Sequence, residues 1–506
     1  MYRIHCIATF VLLATSAVAA DFQTGQAARA VIGQSSFSTR DPGITPAALA
    51  LSNGRLHVAD ASRRVLTFDV TQIPAPRDAA AARSSGSCAV CGLTPIASVP
   101  QAVIPGIASA TSFGKTVVIA DPTGHRVLIW RDSSLPRANK GPDVVLGGRA
   151  NVETTPLSPS TISDPISVAF DGKRLFVGDS ALHRVLVWNS LPSYDNQPAD
   201  AVLGQQSFTT VNASDTPGPE TIDRPTALVS DGMNLFVADS TAHRILVFSA
   251  ADTPSPNNSV SNSASLAAGA IAPGTLITIN GRSLSDETES APDGSADALP
   301  TELAGTEVIV NGIALPLLSV SPAQVRAQFP YGIGDPSAVS LYIRTVHDDG
   351  TVTTTNATAL KVIAATPGLF AFGGTEPRAG MILHTDAESG VAGAPVTSEN
   401  PASPGETLIF WAAGLGAVDT ADAAVPAAGV PYAGADAVVL NDVAAEVSGR
   451  SAQVISATLP HGSVGIYEVR IQLPTDIGAE PETSLLISQN GEFSNAVTIP
   501  VQRIVH

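Results

Sequence analysis

The chain has few charged and few aromatic side chains. Only 14% of its 506 residues are charged and 5% are aromatic, whereas about 25% of the residues in an average soluble protein are charged. Lys and Arg number 27 and Asp and Glu number 45, which gives a net charge of −18. Because a field of this sign repels phosphate backbones, we expect no nucleic-acid partner.

Long apolar runs are also missing beyond the first twenty residues. No later stretch approaches the roughly 18 uninterrupted apolar residues of a membrane-spanning helix, so we expect no integral membrane segment. Residues 1–20 combine Arg3, an apolar run over 7–13, and small residues before Asp21. This order is typical of a secretory signal peptide, with cleavage after Ala19 or Ala20. We therefore expect an exported protein that is secreted, periplasmic or attached to the cell surface.

Cysteine is scarce, with three in the whole chain. Cys6 is removed with the signal peptide, which leaves Cys88 and Cys91. In an oxidising compartment this pair favours a small local disulfide. The alternatives are two free thiols, a redox pair, or a metal site, which would need two further ligands.

Glycine and proline are abundant, with 42 and 38 copies, which suits many short strands joined by turns. The first half repeats one pattern four times: an apolar strand ending in Asp, a short turn, then Arg and a second apolar strand. The Asp residues recur every 58 to 61 positions. A period near 60 indicates propeller blades, each containing a hairpin. The repeated polar residues are Asp60 and Arg64; Asp121, His125 and Arg126; Asp179, His183 and Arg184; and Asp239, His243 and Arg244.

A further short strand also recurs in the first half. Its copies are 31–34, 145–148 and 202–205, and the copy of the second unit falls at 90–92, beside the cysteine pair. The chain begins with this strand, and its last unit ends at Phe248 without one. We therefore expect the N-terminal strand, residues 30–34, to pair with the last unit and close a ring, which removes an open sheet edge.

These units resemble NHL repeats, in which an apolar strand ends in Val-Ala-Asp and His-Arg-Ile or His-Arg-Val follows a short turn. The segment from Asp239 to Ile245 fits best, and the resemblance covers about residues 25–250. It implies a β-propeller. Some NHL-type lyases place zinc on histidines around the central axis. The competing interpretation, which we prefer, is scaffolding: Asp caps the turn and pairs with Arg, and His packs beside them.

The second half repeats with a longer period. The segment 272–279 matches 403–410, and 308–312 matches 438–442, at a spacing of 130 to 131 residues. Each of these two repeats contains strands with alternating apolar residues, which predicts two β-sandwiches. The predicted organisation is a signal peptide (1–20), a propeller (21–250), a linker (251–265), a first sandwich (266–366), a connecting segment (367–399) and a second sandwich (400–506).

This half resembles the Solibacter-type uncharacterised C-terminal domain of exported acidobacterial proteins. The matching segments, in chain order, are 271–274, 310–313, 318–325, 328–331, 367–370, 411–416 and 465–469. The resemblance implies an Ig-like pair used as a spacer or an adhesive module. The whole chain is thus predicted to be all-β, with an N-terminal NHL-like β-propeller of four detected repeats followed by two Ig-like β-sandwich domains.

No catalytic signature occurs in the sequence: there is no Gly-x-Ser-x-Gly elbow, no His-Glu-x-x-His and no phosphate-binding glycine loop. Three acidic stretches, at 286–289, 347–350 and 419–422, lack the ligand spacing of an EF-hand, so we expect no cofactor and leave structural calcium as an alternative. We expect a non-enzymatic binding or scaffold protein whose propeller takes an extracellular protein or glycan. The alternative is a lyase or hydrolase with a metal in the propeller channel.

Overall fold

The computed structural model describes residues 20–62, 64–71, 73, 97–100, 109–132, 141–148, 156–211, 216–251, 260–292, 298–333, 337–386, 390–420 and 425–502. The described chain is all-β, as the composition predicts, and its one helical element is the 3₁₀ turn Ser180–Leu182. None of its helices is long and apolar enough to cross a membrane.

The first half contains strands β1 to β16. In chain order they are β1 (Ala30–Ile32), β2 (Pro46–Ser52), β3 (Arg55–Asp60), β4 (Arg64–Asp69), β5 (Ala97–Pro100), β6 (Ala110–Phe113), β7 (Thr116–Asp121), β8 (Arg126–Trp130), β9 (Val144–Gly147), β10 (Pro165–Phe170), β11 (Leu175–Asp179), β12 (Arg184–Trp188), β13 (Ala201–Leu203), β14 (Pro225–Ser230), β15 (Asn234–Asp239) and β16 (Arg244–Ser249).

These strands form four antiparallel sheets of four strands, one for each sequence repeat. The sheet orders are β2-β3-β4-β5, β6-β7-β8-β9, β10-β11-β12-β13 and β1-β16-β15-β14. The fourth sheet takes its outer strand from the start of the chain, because Ala30 pairs with Val247 and Ile32 with Ile245. The predicted pairing of the N-terminal strand with the last repeat is therefore observed, over residues 30–32. We call these sheets one to four.

Neighbouring sheets share apolar cores. Side chains of sheets two and three form one core, those of sheets three and four a second, and those of sheets four and one a third. The first strands are also linked directly, since Ser167 Oγ donates to Pro225 O at 2.7 Å and Thr226 Oγ1 donates to Pro46 O at 3.0 Å. Sheets three and four, and sheets four and one, are therefore joined through both apolar and polar contacts.

The second half contains strands β17 to β39. They are β17 (Val260–Asn262), β18 (Leu276–Asn280), β19 (Glu289–Ser290), β20 (Thr306–Val310), β21 (Ile313–Ala314), β22 (Leu317–Val320), β23 (Gln324–Gln328), β24 (Ala338–Val346), β25 (Val352–Thr354), β26 (Thr358–Lys361), β27 (Gly368–Leu369), β28 (Arg378–Ala379), β29 (Ile382–Thr385), β30 (Ala392–Pro395), β31 (Thr407–Ala413), β32 (Val418–Asp419), β33 (Ala437–Val439), β34 (Val443–Val447), β35 (Arg450–Leu459), β36 (Tyr467–Gln472), β37 (Thr483–Gln489), β38 (Glu492–Phe493) and β39 (Val497–Ile499).

Strands β17 to β26 form two sheets that enclose one core. One sheet has the order β17-β18-β23-β22-β19, and the other has the order β21-β20-β24-β25, with β26 also paired to β24. Apolar residues from both sheets, such as Ile277 and Val325 on the first and Val308 and Ile343 on the second, meet in this core. Residues 260–361 thus form a two-layer unit, called the first β unit below.

Strands β27 to β39 form a single curled sheet of thirteen strands around a second core. The ten-residue strand β35 causes the curl, because its first residues pair with β34 whereas its later residues pair with β36 and β33. The structure therefore has one continuous, curled sheet that covers the predicted sandwich at 400–506 and also includes strands before residue 400.

Two boundaries differ from the sequence interpretation. Residues Val260–Asn262, placed in the linker 251–265, form a strand that pairs with Ile277–Ile279. The connecting segment 367–399 contains β27 to β30, and β29 pairs with β31 of the last sheet. Both segments lack a clear apolar alternation, and only the partner strands, distant in sequence, bring them into sheets.

Candidate functional site

The repeated Asp and Arg residues pair with each other in all four sheets. Each Asp ends the second strand of its sheet, and each Arg begins the third strand directly opposite. The Arg Nε to Asp Oδ2 distances are 2.6 Å for Arg64–Asp60, 2.8 Å for Arg126–Asp121, 3.5 Å for Arg184–Asp179 and 3.0 Å for Arg244–Asp239. The arrangement that the sequence predicts as scaffolding is therefore the one that the hairpin geometry produces.

Three of the four Asp carboxylates also accept backbone hydrogen bonds from the turn before their own sheet, whereas Asp121 accepts from Gly124 of its own hairpin. Asp60 Oδ1 accepts from the Thr45 amide at 2.7 Å, and Asp239 Oδ1 accepts from the Arg224 amide at 2.9 Å. Burial raises the pKa of Asp60, but the hydrogen bonds from Arg64 and Thr45 outweigh that effect and hold it below its usual value. The Arg126 guanidinium likewise lowers the pKa of Asp121.

The repeated histidines connect one repeat to the next. All three have left-handed backbone conformations, with φ of 51° to 54°, which turns each imidazole away from its own hairpin. Because a carbonyl oxygen only accepts, Nδ1 of each ring is the donor. The bonds are His125 Nδ1 to Ser163 O, His183 Nδ1 to Asp223 O at 2.6 Å, and His243 Nδ1 to Ile44 O at 3.0 Å.

These bonds run from sheet two to three, from three to four, and from four back to one. The three imidazoles therefore lie at three separate interfaces. Within the described residues, no three His, Cys, Asp or Glu side chains are grouped closely enough to hold a metal ion. The sequence predicts His beside the Asp–Arg pair but carries no sign of these links, because donor and acceptor lie about 40 or about 200 residues apart.

The four Arg side chains differ in their burial and in the hydrogen bonds that they make beyond their Asp partners. Arg64 and Arg126 have 39% and 44% of their side-chain surface exposed, whereas Arg184 and Arg244 are fully buried. Arg244 donates to Phe37 O at 2.6 Å and to Thr221 O at 2.8 Å. It also contacts Gly218 O at 3.2 Å. Arg244 thereby fixes the loop from Gly218 to Thr221.

That loop forms one wall of a cleft of about 730 Å³ between the sheets of the first half and the first β unit. The opposite wall comes from β24 and β26, which pair through Ala338 and Lys361. Gln206 and Glu220 line the first wall, and Ser337 and Lys361 line the second. Among the described residues, the lining contains hydroxyl, amide, carboxylate and ammonium groups and no aromatic ring.

Glu220 is the titratable group of the first wall. Burial raises the pKa of its carboxyl, and a hydrogen bond from its own backbone amide and the positive charge of Arg244 offset only part of that effect. Its Oε2 accepts no hydrogen bond from the described part of the chain. Since an unpaired buried carboxylate oxygen is costly, this wall has hydrogen-bonding capacity that the described residues do not satisfy.

The two sides of the cleft are held together directly. The Ala27 amide donates to Ala357 O at 3.0 Å, and the Arg29 guanidinium lies 5.0 Å from the centre of the Tyr342 ring. Ala27, Tyr342 and Ala357 form a small apolar cluster at this junction. The first half and the first β unit, which form the two walls of the cleft, therefore contact each other directly through buried residues.

Other predicted sites fall elsewhere. Cys88 and Cys91 and the strand predicted at 90–92 lie outside the described residues, as do residues 1–19. Two of the three acidic stretches meet, because His347 Nδ1 lies 2.8 Å from Asp286 Oδ1, and His347 Nε2 lies 2.8 Å from Thr353 Oγ1. These contacts link two turns of the first β unit.

Comparisons with known proteins yield no family assignment. No family model matches the chain, and no curated protein matches it. Among solved structures, the computationally designed Ika4 protein is similar at 16% identity, over 42% of this chain and 95% of that one, with a TM-score of 0.18. Glutaminyl cyclase from Myxococcus xanthus is similar at 9% identity, over 44% and 91%, with a TM-score of 0.20. Likeness at this level carries no argument about this chain.

Proposed function

We propose that this chain is an exported, non-enzymatic binding protein and that the cleft at the junction is its ligand site. In this proposal the four sheets are the blades of a closed NHL-like β-propeller, and the two units that follow are Ig-like modules that space or attach it. Closure by β1 and the three His links between sheets support the propeller assignment. A rigid ring with variable loops is a binding platform that needs no chemistry of its own.

The observation that carries the proposal is the rigid support of both cleft walls. The Asp239–Arg244 pair holds the loop from Gly218 to Thr221, and paired strands form the opposite wall. Preformed walls reduce the ordering cost of binding. A volume of about 730 Å³ lies within the roughly 300–1,000 Å³ typical of ligand sites.

The lining favours a hydroxyl-rich ligand, and we propose a glycan. Gln206 and Ser337 offer neutral donors and acceptors, and Glu220 and Lys361 add one acceptor and one donor of opposite charge. An apolar ligand would leave these groups without partners, which costs binding free energy. A peptide segment of another protein is the other outcome to be tested.

Calorimetric titration with a panel of soluble oligosaccharides tests the proposal. Lys361→Glu and Gln206→Trp should each weaken the best ligand at least about tenfold, because one reverses a charge and the other fills the cleft. Lys115→Glu, at an exposed lysine remote in sequence from the cleft lining, is the matched control and should leave the affinity unchanged.

Two results would contradict the proposal. Equal affinity of all three variants would place the ligand elsewhere. Stoichiometric metal in the purified protein, together with turnover of a polysaccharide or lactone, would favour the lyase or hydrolase alternative.

A further inference from the structure

A second pocket, of about 310 Å³, lies between the first β unit and the last sheet. The turn after β17 contributes Ala267, Ala268 and Ala270 to its lining, and the hairpin of β37 and β38 contributes Glu492 and Phe493. Its described lining shares no residue with that of the cleft. An interaction at the second pocket is therefore independent of ligand binding in the cleft.

Hydrogen bonds between the two units fix the walls of the second pocket. Asn262 Nδ2 of the first β unit donates to Thr366 O, which directly precedes the last sheet, at 2.8 Å. On the opposite wall, Asn495 Nδ2 donates to Leu369 O at 3.1 Å, and Asn495 Oδ1 accepts from the Leu369 amide at 2.8 Å. A pocket with walls held in this way is formed before a partner arrives, which lowers the ordering cost of binding.

The polar side chains deep in the lining bond to the backbone of the protein itself. Asn262 Oδ1 accepts from an amide of its own turn at 2.8 Å, and Thr366 Oγ1 accepts from the Ala272 amide at 3.1 Å. Ser494 Oγ donates to Asn495 O at 2.9 Å. The surface that a ligand can cover is therefore largely apolar, and it is formed by the three alanines, Ile363, Pro367 and Phe493.

Two large apolar side chains are exposed at the second pocket. Phe493 lines it and is 69% exposed, and Leu266, between the lining residues Ser265 and Ala267, is 56% exposed. Leu266 also has a left-handed backbone conformation, with φ of 62°, which is costly for a side chain of its size. The fold thus holds an apolar side chain in water at a strained position beside an apolar pocket, and such features mark interaction sites.

We propose that the second pocket is a docking site for a short basic peptide segment of a protein partner. The segment inserts one aromatic or long aliphatic side chain into the pocket, covers Phe493 and Leu266, and places a Lys or Arg beside Glu492. A buried apolar anchor supplies most of the binding free energy in interfaces of this kind. The docking site adds a partner to the units that the proposed function treats as spacers or attachment modules.

Charge favours a basic partner over a second copy of this chain. Glu492 is exposed in the lining, and the whole chain has a net charge of −18. A second copy would bring the same carboxylate and the same net charge to the contact, whereas a basic segment is attracted to both.

Fluorescence anisotropy of labelled synthetic peptides with the full chain tests the proposal. The probe is a heptapeptide of Gly and Ser with a central Phe between two Lys residues. It should bind at least about tenfold more tightly than the same peptide with a central Ala, and more tightly than the peptide in which Glu replaces both Lys residues. Equal affinities of the three peptides would overturn the docking site.

Variants of the chain locate the contact. Phe493→Ser and Leu266→Asn should each weaken the probe at least about tenfold, and Glu492→Lys should shift the preference toward the peptide with Glu. Leu266→Asn should not lower the melting temperature, because Asn tolerates the left-handed conformation better than Leu does. A lower melting temperature with unchanged probe affinity would show that Leu266 is only structural and would overturn its role in docking.

Phe372→Ser is the matched control, at a side chain of the last sheet that is 52% exposed and outside the described lining of the second pocket. It should leave the probe affinity unchanged, and an equal loss in this variant would overturn the assignment to the pocket. A dimer in sedimentation velocity that Phe493→Ser abolishes would replace the peptide partner by a second copy. Glycan binding in the cleft should be the same in all of these variants, so its absence from the unaltered chain would reject the proposed function alone.

Discussion

At the scale of residues, one Asp–Arg pair recurs four times in environments of different burial. The pair forms because the register of each hairpin places the two side chains opposite each other. In sheets three and four the pair is buried, and backbone carbonyls bond the remaining guanidinium nitrogens, as Thr161 O does for Arg184. Removing one partner of such a buried pair leaves the other charge buried without compensation, and this lowers the stability of the fold strongly.

Arg184→Ala and Arg244→Ala should therefore each lower the free energy of unfolding by about 1–3 kcal/mol, because each leaves a buried carboxylate without its partner. Arg126→Ala is the matched control in sheet two, where the half-exposed pair should contribute less than about 1 kcal/mol. Urea denaturation of the three variants measures the difference. Equal, small losses would mean that the buried pairs do not stabilise their sheets.

His183→Ala tests the second part of the repeated motif. It removes the bond from sheet three to Asp223 O, and we expect a loss of about 1 kcal/mol and no change in metal content by elemental analysis. Loss of bound zinc in this variant would reject the scaffold interpretation and support the metal alternative.

At the scale of elements, β1 joins a sheet whose other strands lie about 200 residues later in the chain. It completes the fourth sheet and presents Val31 to the core between sheets three and four, and Ile32 to the core between sheets four and one. Gly33 follows with φ of 89°, and a Cβ there would meet the Ile44 side chain at 2.3 Å. The positive φ favours glycine at this position, and any larger residue would also force the Ile44 side chain to move.

The double variant Val31→Gly and Ile32→Gly tests closure without shortening the chain. We expect a loss of at least about 3 kcal/mol, because two buried side chains are removed from two cores, and unfolding of the whole first half at a lower temperature. The control is Ala392→Gly with Ala394→Gly in the exposed strand β30. Calorimetry that gave both double variants the same melting temperature would contradict closure by β1.

At the scale of the whole molecule, the first half and the first β unit meet through a few buried groups. Burial lowers the pKa of Arg29, and the Tyr342 ring beneath it partly offsets that effect. Burial also raises the pKa of Tyr342. A buried cation above an aromatic face contributes about 2 kcal/mol or more when it is desolvated, so this contact helps to hold the two sides of the cleft together.

Tyr342→Ala should separate the two parts. We expect two resolved calorimetric transitions, and at least about tenfold weaker binding of the cleft ligand, because the walls would no longer be held at a fixed distance. Tyr194→Ala, at a side chain that is 58% exposed, is the control. An unchanged single transition in Tyr342→Ala would show that other contacts fix the junction.

The sequence alone determined the all-β class, the four repeats, the Asp–Arg pairs and the pairing of the first strand with the last repeat. Each of these depends on local order: alternation sets the strands, the hairpin turn sets the register, and a recurring motif marks each sheet. Because the repeats can be aligned with each other, the sequence itself shows that the last repeat lacks the short strand that the others have.

Only the tertiary structure decided how distant segments meet. The His links depend on which carbonyl of the next repeat lies within reach, and the cleft joins Glu220 to a wall around Lys361. The ten-residue strand β35 pairs with β34 through its first residues and with β36 through its later residues. The alternation of apolar residues along a single strand does not predict which strands it pairs with. Contacts between residues far apart in sequence depend on the packing of whole units, and no local pattern records that packing.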